Sequence, residues 1–410
     1  MSPTQQPPRP LNISIVGAGI GGLAAAIALR RHGHLVTIFE TSQAKTEIGA
    51  GITVQRNALR ILESFEGFTR QNLNAAQFDG VVIFDAESGT GTERPLPEAM
   101  RSEARQSLSC HRNDLHRELR RLATDETVSA SRPAKLLLDT KVIACDAATG
   151  TVTLAGGEII AADVVIGADG IRSVVRTSIL GHVVKPPASG WTCFRCLFDA
   201  SNIRDIEELK WFTEGMHGAR NVRMPPRDDE DTDVKFFFTY PCRNGTLVNF
   251  VGFYADSEQE SEDWSSTTTL DEVHQKFTSF HPKFLRLLSL PLKTPILRWQ
   301  VRVVPVLAAW TRGRTALLGD AAHGTLPTLG QGAAMAVEDA AALGYLLPFG
   351  VSREDVPARL EAYEKLRKER GEFVSRESVL NAVKPARGGE YFRCKIFYFY
   401  VFSLLGFGLR

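Results

Sequence analysis

Three glycines at fixed spacing, Gly17, Gly19 and Gly22 in GAGIGG, follow one apolar run and open an alanine-rich one. Each position of this G-x-G-x-x-G pattern has a chemical reading. Gly17 permits a tight strand-to-helix turn, Gly19 lets backbone approach a pyrophosphate, and Gly22 lets the helix pack against the strand. The helix that follows aims its first amides at phosphate charge. Glu40 ends the next apolar run, where an acid hydrogen-bonds a ribose hydroxyl and repels a 2′-phosphate. These residues predict a bound dinucleotide and disfavour NADP at this site. They do not separate NAD from FAD.

Two later turns bear on that choice. DVVIGADGIRSVVR, residues 163–176, is an apolar strand that breaks at Gly167-Ala168-Asp169-Gly170 and restarts as a helix after Arg172. Asp169 either caps that helix or meets a ligand. In residues 316–340 a strand stops at Gly319-Asp320, a Gly/Pro loop follows, and Gly330-Gln331-Gly332 opens a long helix with unpaired amides. A plain NAD site has no need of a polar turn so late in the chain. FAD has, because its ribityl chain and flavin extend away from the pyrophosphate.

The elements that must position these turns follow from periodicity. Strand, helix and strand over 11–16, 23–31 and 34–40 give a βαβ start. Helices are expected over 57–66 and over 111–123, the second capped by Asn113. Strands are expected over 134–144, 150–154 and 164–167. From about Pro186 the runs WTCFRCLF, VKFFFTY and TLVNFVGFY dominate, with the acidic loop RDDEDTD before the second. They read as a mostly antiparallel sheet inserted into an α/β domain. After Trp299 the chain returns to α/β language and ends in a helical run over 356–381. The fold class is therefore α/β, or α+β overall. A Rossmann-type FAD-binding domain is built from 11–82, 106–185 and 299–347, a substrate domain from 83–105 and 186–298, a C-terminal helix from 348–385, and an apolar tail from 386–410.

The totals exclude several classes. At 410 residues the chain suits two domains or one with a large insertion. Lys and Arg number 48 against 47 Asp and Glu, a net charge of +1, which gives no reason to expect nucleic acid or an anionic membrane as partner. Six scattered cysteines form no disulfide framework. The one C-x-x-C, Cys193 to Cys196, lacks a second pair, and a strand would point its thiols to opposite faces, so no metal site is expected. The Pro-rich N-terminus has no apolar signal core, and a cytoplasmic protein is expected. Residues 396–410, IFYFYVFSLLGFGLR, are short for a membrane span. They pack on the protein's own surface or make a weak, peripheral membrane contact. No oligomeric state follows from the sequence.

The order of G-x-G-x-x-G, then D-G, then G-D resembles the single-component FAD-dependent aromatic hydroxylases, the group A flavoprotein monooxygenases. Salicylate hydroxylase-like members and fungal phenol-dearomatising hydroxylases are the most similar, over residues 12–376. The resemblance implies that Gly17, Gly19, Gly22 and Glu40 hold the ADP half of FAD. It implies that Asp320 binds the ribityl hydroxyls, that Gly332 and Ala333 offer amides to the flavin, and that Gly51 and Arg112 also serve the cofactor. Asp169 matches an aspartate tied to cofactor and pyridine-nucleotide contacts. The implied reaction uses NADPH or NADH, O2 and a flavin C4a-hydroperoxide to hydroxylate or dearomatise a phenolic or polyketide-like small molecule. Other flavin reactions fit the same scaffold: epoxidation, halogenation or reduction.

Two residues of the inserted sheet match family positions that face substrate. Arg195 in GWTCFRCLF would stabilise a phenolate, and Tyr240 in FFFTYP would relay or donate a proton. Their ordinary alternatives are an ion pair for the arginine and packing for the tyrosine. Phe236 stands where some relatives carry a catalytic His, so no His base is expected there. The loop GITVQRN lacks the Pro that many relatives have before the Asn, and its Arg56 faces flavin, substrate or solvent. His323 reads as a buried structural residue, with Pro327 and Gly330 shaping the loop beside the flavin.

Overall fold

The computed structural model describes residues 9–43, 50–76, 78–95, 107–204, 206–215, 217–224, 234–256 and 265–383. The acidic loop at 227–233 and the apolar tail at 386–410 lie outside them. Among the described residues, no helix is long and apolar enough to cross a membrane.

Six strands form the cofactor-side sheet, in the order Thr311–Arg312, Thr315–Leu317, Val164–Gly167, Asn12–Val16, Leu35–Phe39 and Lys135–Leu137. All neighbours are parallel except the first pair. A parallel sheet is covered on both faces, which explains the unbroken burial of Val164–Gly167. Helices Ile20–Arg30 and Gly332–Leu346 cover it, both rich in alanine and buried on nearly every side. They pack closely because their facing residues are small: a methyl on Gly21 would lie 3.2 Å from the Ala336 Cβ, and one on Gly344 2.9 Å from the Ala28 Cβ.

An eight-stranded sheet makes the second layer. Its order is Ser265–Thr268, Ile296–Arg302, Ala188–Asp199, Leu247–Ala255, Lys235–Cys242, Gly218–Arg223, Gly80–Asp85 and Gly91–Pro95. Only the pair Gly218–Arg223 and Gly80–Asp85 is parallel. The sheet begins at Gly80 and closes at Arg302, a few residues outside the expected 83 and 298. Its outer face carries Phe194, Phe198, Phe237 and Phe250 into a core with the helices of 270–289. Its inner face carries Trp191, Cys193, Phe236, Val251 and Phe253, packed with Leu326 and Ala382 of the cofactor side.

Two local expectations are corrected. The run expected as one strand over 134–144 is two, Lys135–Leu137 and Val142–Asp146, in different sheets. Asp139 between them has φ +53°, which no strand accommodates. Helix Arg112–Thr124 is capped by the ring of His111, which accepts from the Asn113 amide at 3.3 Å, and not by Asn113. The helix expected at 57–66 runs over Arg56–Glu63, and the long C-terminal helix over Val356–Val383.

Candidate active site

Parallel strands Leu35–Phe39, Asn12–Val16, Val164–Gly167 and Thr315–Leu317 all end at one edge of their sheet. Glu40, the glycine turn, Asp169 and Gly319-Asp320 therefore stand side by side on that edge, where ligands of open α/β sheets bind. Three distant turns become one groove.

Each turn shows what it leaves room for. Gly17 has φ +102°, and a methyl there would run into the carbonyl of Ala168. One on Gly22 would run into the Gly17 carbonyl. Gly19 differs: no atom lies within 4 Å of where its Cβ would be, so backbone is open to a ligand at that point. Glu40 turns back on the loop, its Oε2 accepting from the Ala18 amide at 2.8 Å and its Oε1 from the Ser42 amide at 2.8 Å. Arg112 opens its helix with its amide on the Ala50 carbonyl at 2.9 Å, and His116 one turn on bonds the Ala18 carbonyl at 2.7 Å.

Asp169 binds the start of helix Val174–Leu180, whose N-cap is Ser173. The Asp169 Oδ2 accepts from Val174 and Val175 amides at 2.7 and 3.2 Å, while its Oδ1 is enclosed with no partner. Burial raises its pKa against the pull of these hydrogen bonds. Arg176, fully buried, ties this turn to the later one, donating to the carbonyls of Ile171 at 2.6 Å and Ala321 at 3.0 Å. Asp320 is exposed on the groove side of that later turn. Half-buried Gly332 and Ala333 begin their helix, with first-turn amides that no intrahelical carbonyl can reach.

A buried ionic cluster, not foreseen in the sequence, holds the later turn. Asp339 accepts from the Gly319 amide at 3.1 Å, His323 Nε2 at 2.6 Å and Arg367 Nε at 2.7 Å. Glu338 pairs with Arg367 at 2.8 Å and Arg370 at 2.7 Å, and accepts from Asn57 at 2.6 Å. Burial alone would raise both carboxyls. The facing cations more than reverse it and hold each at about 2. His323 is thus a structural residue. Asn57 also donates to Gln331 at 3.1 Å, so the GITVQRN loop is fastened to the start of helix Gly332–Leu346. Arg56 is the first residue of the helix that leaves that loop.

Gly51 joins the two layers. Its amide donates to Asn249 Oδ1 at 2.7 Å, and a methyl on it would lie 2.6 Å from the Tyr240 ring. Tyr240 and Arg195 share the inner face of the eight-stranded sheet. The register sets Tyr240 opposite Asn249, and Arg195 opposite Val251 one step along. Arg195 has no hydrogen-bond or ion-pair partner among the described residues, and its Nε is enclosed. Burial pushes the Tyr240 hydroxyl upward, and the positive charge of Arg195 pulls it partly back. Cys193 and Cys196 are both buried and point to opposite faces. Burial raises both thiols, and no cluster of metal ligands is found among the described residues.

The groove fits FAD: open backbone at Gly19, an unspent carboxylate at Asp320 and two helix starts. Residues 11–378 match the family model described as FAD binding domain. The chain belongs to the FAD-dependent aromatic hydroxylases. Among relatives of this flavoprotein, hispidin-3-hydroxylase of Neonothopanus nambi is 41% identical over 94% of this chain and 92% of its own length. 3-Hydroxybenzoate 6-hydroxylase of Polaromonas naphthalenivorans is 30% identical over 88% of this chain and 84% of its own. A salicylate hydroxylase substrate complex superposes with a TM-score of 0.73 at 26% identity, covering 92% of this chain and 88% of that one. A relative from Aspergillus candidus at 35% identity bears the name FAD-dependent monooxygenase, and this chain is an enzyme of that kind.

Proposed function

We propose that the enzyme hydroxylates, or oxidatively dearomatises, a phenolic small molecule, using NAD(P)H as reductant and O2 as oxidant. FAD, when bound, would supply the redox and oxygen-activation chemistry, with NAD(P)H as the two-electron reductant and water as the product of the second oxygen atom. The chain's part is to hold and polarise the ring. The observation that carries the reading is Arg195, a cation with no described acid partner, beside a tyrosine that remains protonated.

A guanidinium in a largely dry site stabilises a phenolate far more than water would. The phenolate pushes electron density into its ring, which makes the ring carbon a better nucleophile. Tyr240, kept neutral by burial, can donate to that oxygen but does not deprotonate it at neutral pH. Phe236 supplies no base either, so the charge of Arg195 itself must favour loss of the phenol proton. Amides of Gly332 and Ala333 at a helix start would favour negative charge on the cofactor. A cavity of about 880 Å³ opens beside the Asp169 turn, and Arg172, Lys185 and Arg302 line part of it. Its positive charge suits the pyrophosphate of a nicotinamide dinucleotide.

Arg195→Ala tests the reading. The variant should keep its yellow colour and FAD stoichiometry while product formation falls by about 10²–10³-fold, the usual effect of losing one oxyanion donor. Near-parental turnover on a panel of phenols would overturn it.

A further inference from the structure

A buried hydrogen bond fastens the eight-stranded sheet to the cofactor-side loop at Gly51: Asn249 Oδ1 accepts from the Gly51 amide at 2.7 Å. Asn249 is fully buried, directly across from Tyr240 on one side and from Leu197 on the other. Val251, the next residue on the same face, stands across from Arg195. The strands that carry Arg195 and Tyr240 therefore flank the strand that carries this asparagine. Its two polar atoms fare differently. Oδ1 is engaged, whereas Nδ2 is enclosed and has no partner among the described residues.

A buried donor left unbonded costs about as much as one hydrogen bond returns, so Asn249 adds little to folding stability. An apolar side chain there would only exchange one orphan donor, Nδ2, for another, the Gly51 amide. What the asparagine alone supplies is direction and distance: it holds the Gly51 backbone at hydrogen-bond range. The fit has no slack, since a methyl on Gly51 would lie 2.6 Å from the Tyr240 ring and 2.7 Å from the Asn249 Cβ. Beyond Gly51 the chain leads to the cofactor groove. Strand Gly51–Val54 pairs with Leu108–His111, which runs into Arg112. Three residues past that strand, Asn57 donates to Gln331 at 3.1 Å, at the start of helix Gly332–Leu346. A short segment is thus held at one end by the substrate-side sheet and at the other by the helix start left open for the flavin.

Resting on the proposed phenol chemistry for its catalytic consequence, we propose that Asn249 is a positioning residue whose Oδ1, acting through Gly51, sets the spacing between the Arg195–Tyr240 pair and the flavin. It touches neither substrate nor cofactor. A ring held slightly out of place receives the oxygen atom less often. NAD(P)H, a proton and O2 then yield NAD(P)+ and H2O2 in place of hydroxylated product and water.

Asn249→Leu and Asn249→Asp, each loaded with FAD, separate the acceptor from the rest of the side chain. An aspartate accepts from the Gly51 amide whether ionised or protonated, and it gives up only the unbonded Nδ2. With the phenol that the parent converts best, product formed per NAD(P)H consumed should fall about tenfold in Asn249→Leu, the difference appearing as H2O2. FAD content should be retained, and melting should stay within about 4 °C of the parent. Asn249→Asp should restore most of the coupling. The visible absorbance band of bound FAD, read without any phenol, should shift in Asn249→Leu and return in Asn249→Asp. Parental coupling in Asn249→Leu, or an Asn249→Asp protein as uncoupled as Asn249→Leu, would overturn the assignment. So would an Asn249→Leu chain that no longer folds, because the residue would then serve the core. If the parent oxygenates no phenol, the functional reading fails by itself, and the shift and return of the flavin band decide the role of Asn249.

Discussion

At Gly51 the ring of Tyr240 and the amide of Asn249 fill the space a side chain would need. The contact fixes where the tyrosine hydroxyl stands relative to the cofactor side. Because burial raises that hydroxyl and Arg195 reverses only part of the effect, it is protonated throughout the neutral range. Tyr240→Phe should therefore lower kcat by at least about tenfold, a modest share of what a positioned proton donor contributes. The loss should be the same from roughly pH 6 to 9, because no ionisation of Tyr240 falls in that window; a loss that grows or shrinks across it in steady-state assays would contradict this role. At this scale the sequence was informative where function depends on local spacing. The glycines, Glu40 and Asp320 sit in turns whose form is written within a few residues. Asn249 was not legible, because an alternating strand does not disclose which of its faces meets a cofactor layer some two hundred residues away.

Among the elements, helix Gly332–Leu346 bears the most consequence, since its buried Glu338 and Asp339 gather His323, Arg367, Arg370 and Asn57 from three other segments. Replacing Arg367 by Met leaves two carboxylates facing each other with less positive charge. Thermal or urea unfolding should register a loss on the order of 3–5 kcal/mol, the cost of breaking a buried pair from one side. Both carboxyls sit at about 2 when folded, below the usual 4.3 for Glu and 3.9 for Asp when unfolded. Their contribution is therefore complete above about pH 4 and disappears as pH falls toward 2. Acid unfolding of the parent should steepen in that interval, and Arg367→Met should flatten it. In the sequence these acids looked like polar residues in an alanine-rich helix. Their partners lie as far as 32 positions onward and 281 positions back, beyond any periodicity. The βαβ start, the inserted sheet and the terminal helix were legible from pattern. The expected 134–144 strand was not separable from its neighbours, because a single left-handed Asp139 divides it and apolar alternation continues across the break.

For the whole molecule, the groove depends on turns from residues 17, 169 and 320 arriving at one sheet edge. Asp320 reaches it exposed, and its loss should remove only the ribityl contact. Asp320→Ala should weaken FAD by about 10–100-fold, as expected for a charged hydrogen bond, with little change in melting of the cofactor-free protein. Release of flavin fluorescence on dilution measures it, and undiminished retention would contradict the placement. The close packing of helix Ile20–Arg30 on helix Gly332–Leu346, through Gly21, Ala28, Ala336 and Gly344, has its own consequence. With side chains this small there is no slack for sliding, so the distance between the two helix starts is set by the folded chain before any ligand arrives. The enzyme thus carries a ruler for its cofactor. Flavin mononucleotide, which spans only part of that length, should engage one end, bind orders of magnitude more weakly in equilibrium dialysis, and fail to restore colour to the stripped protein.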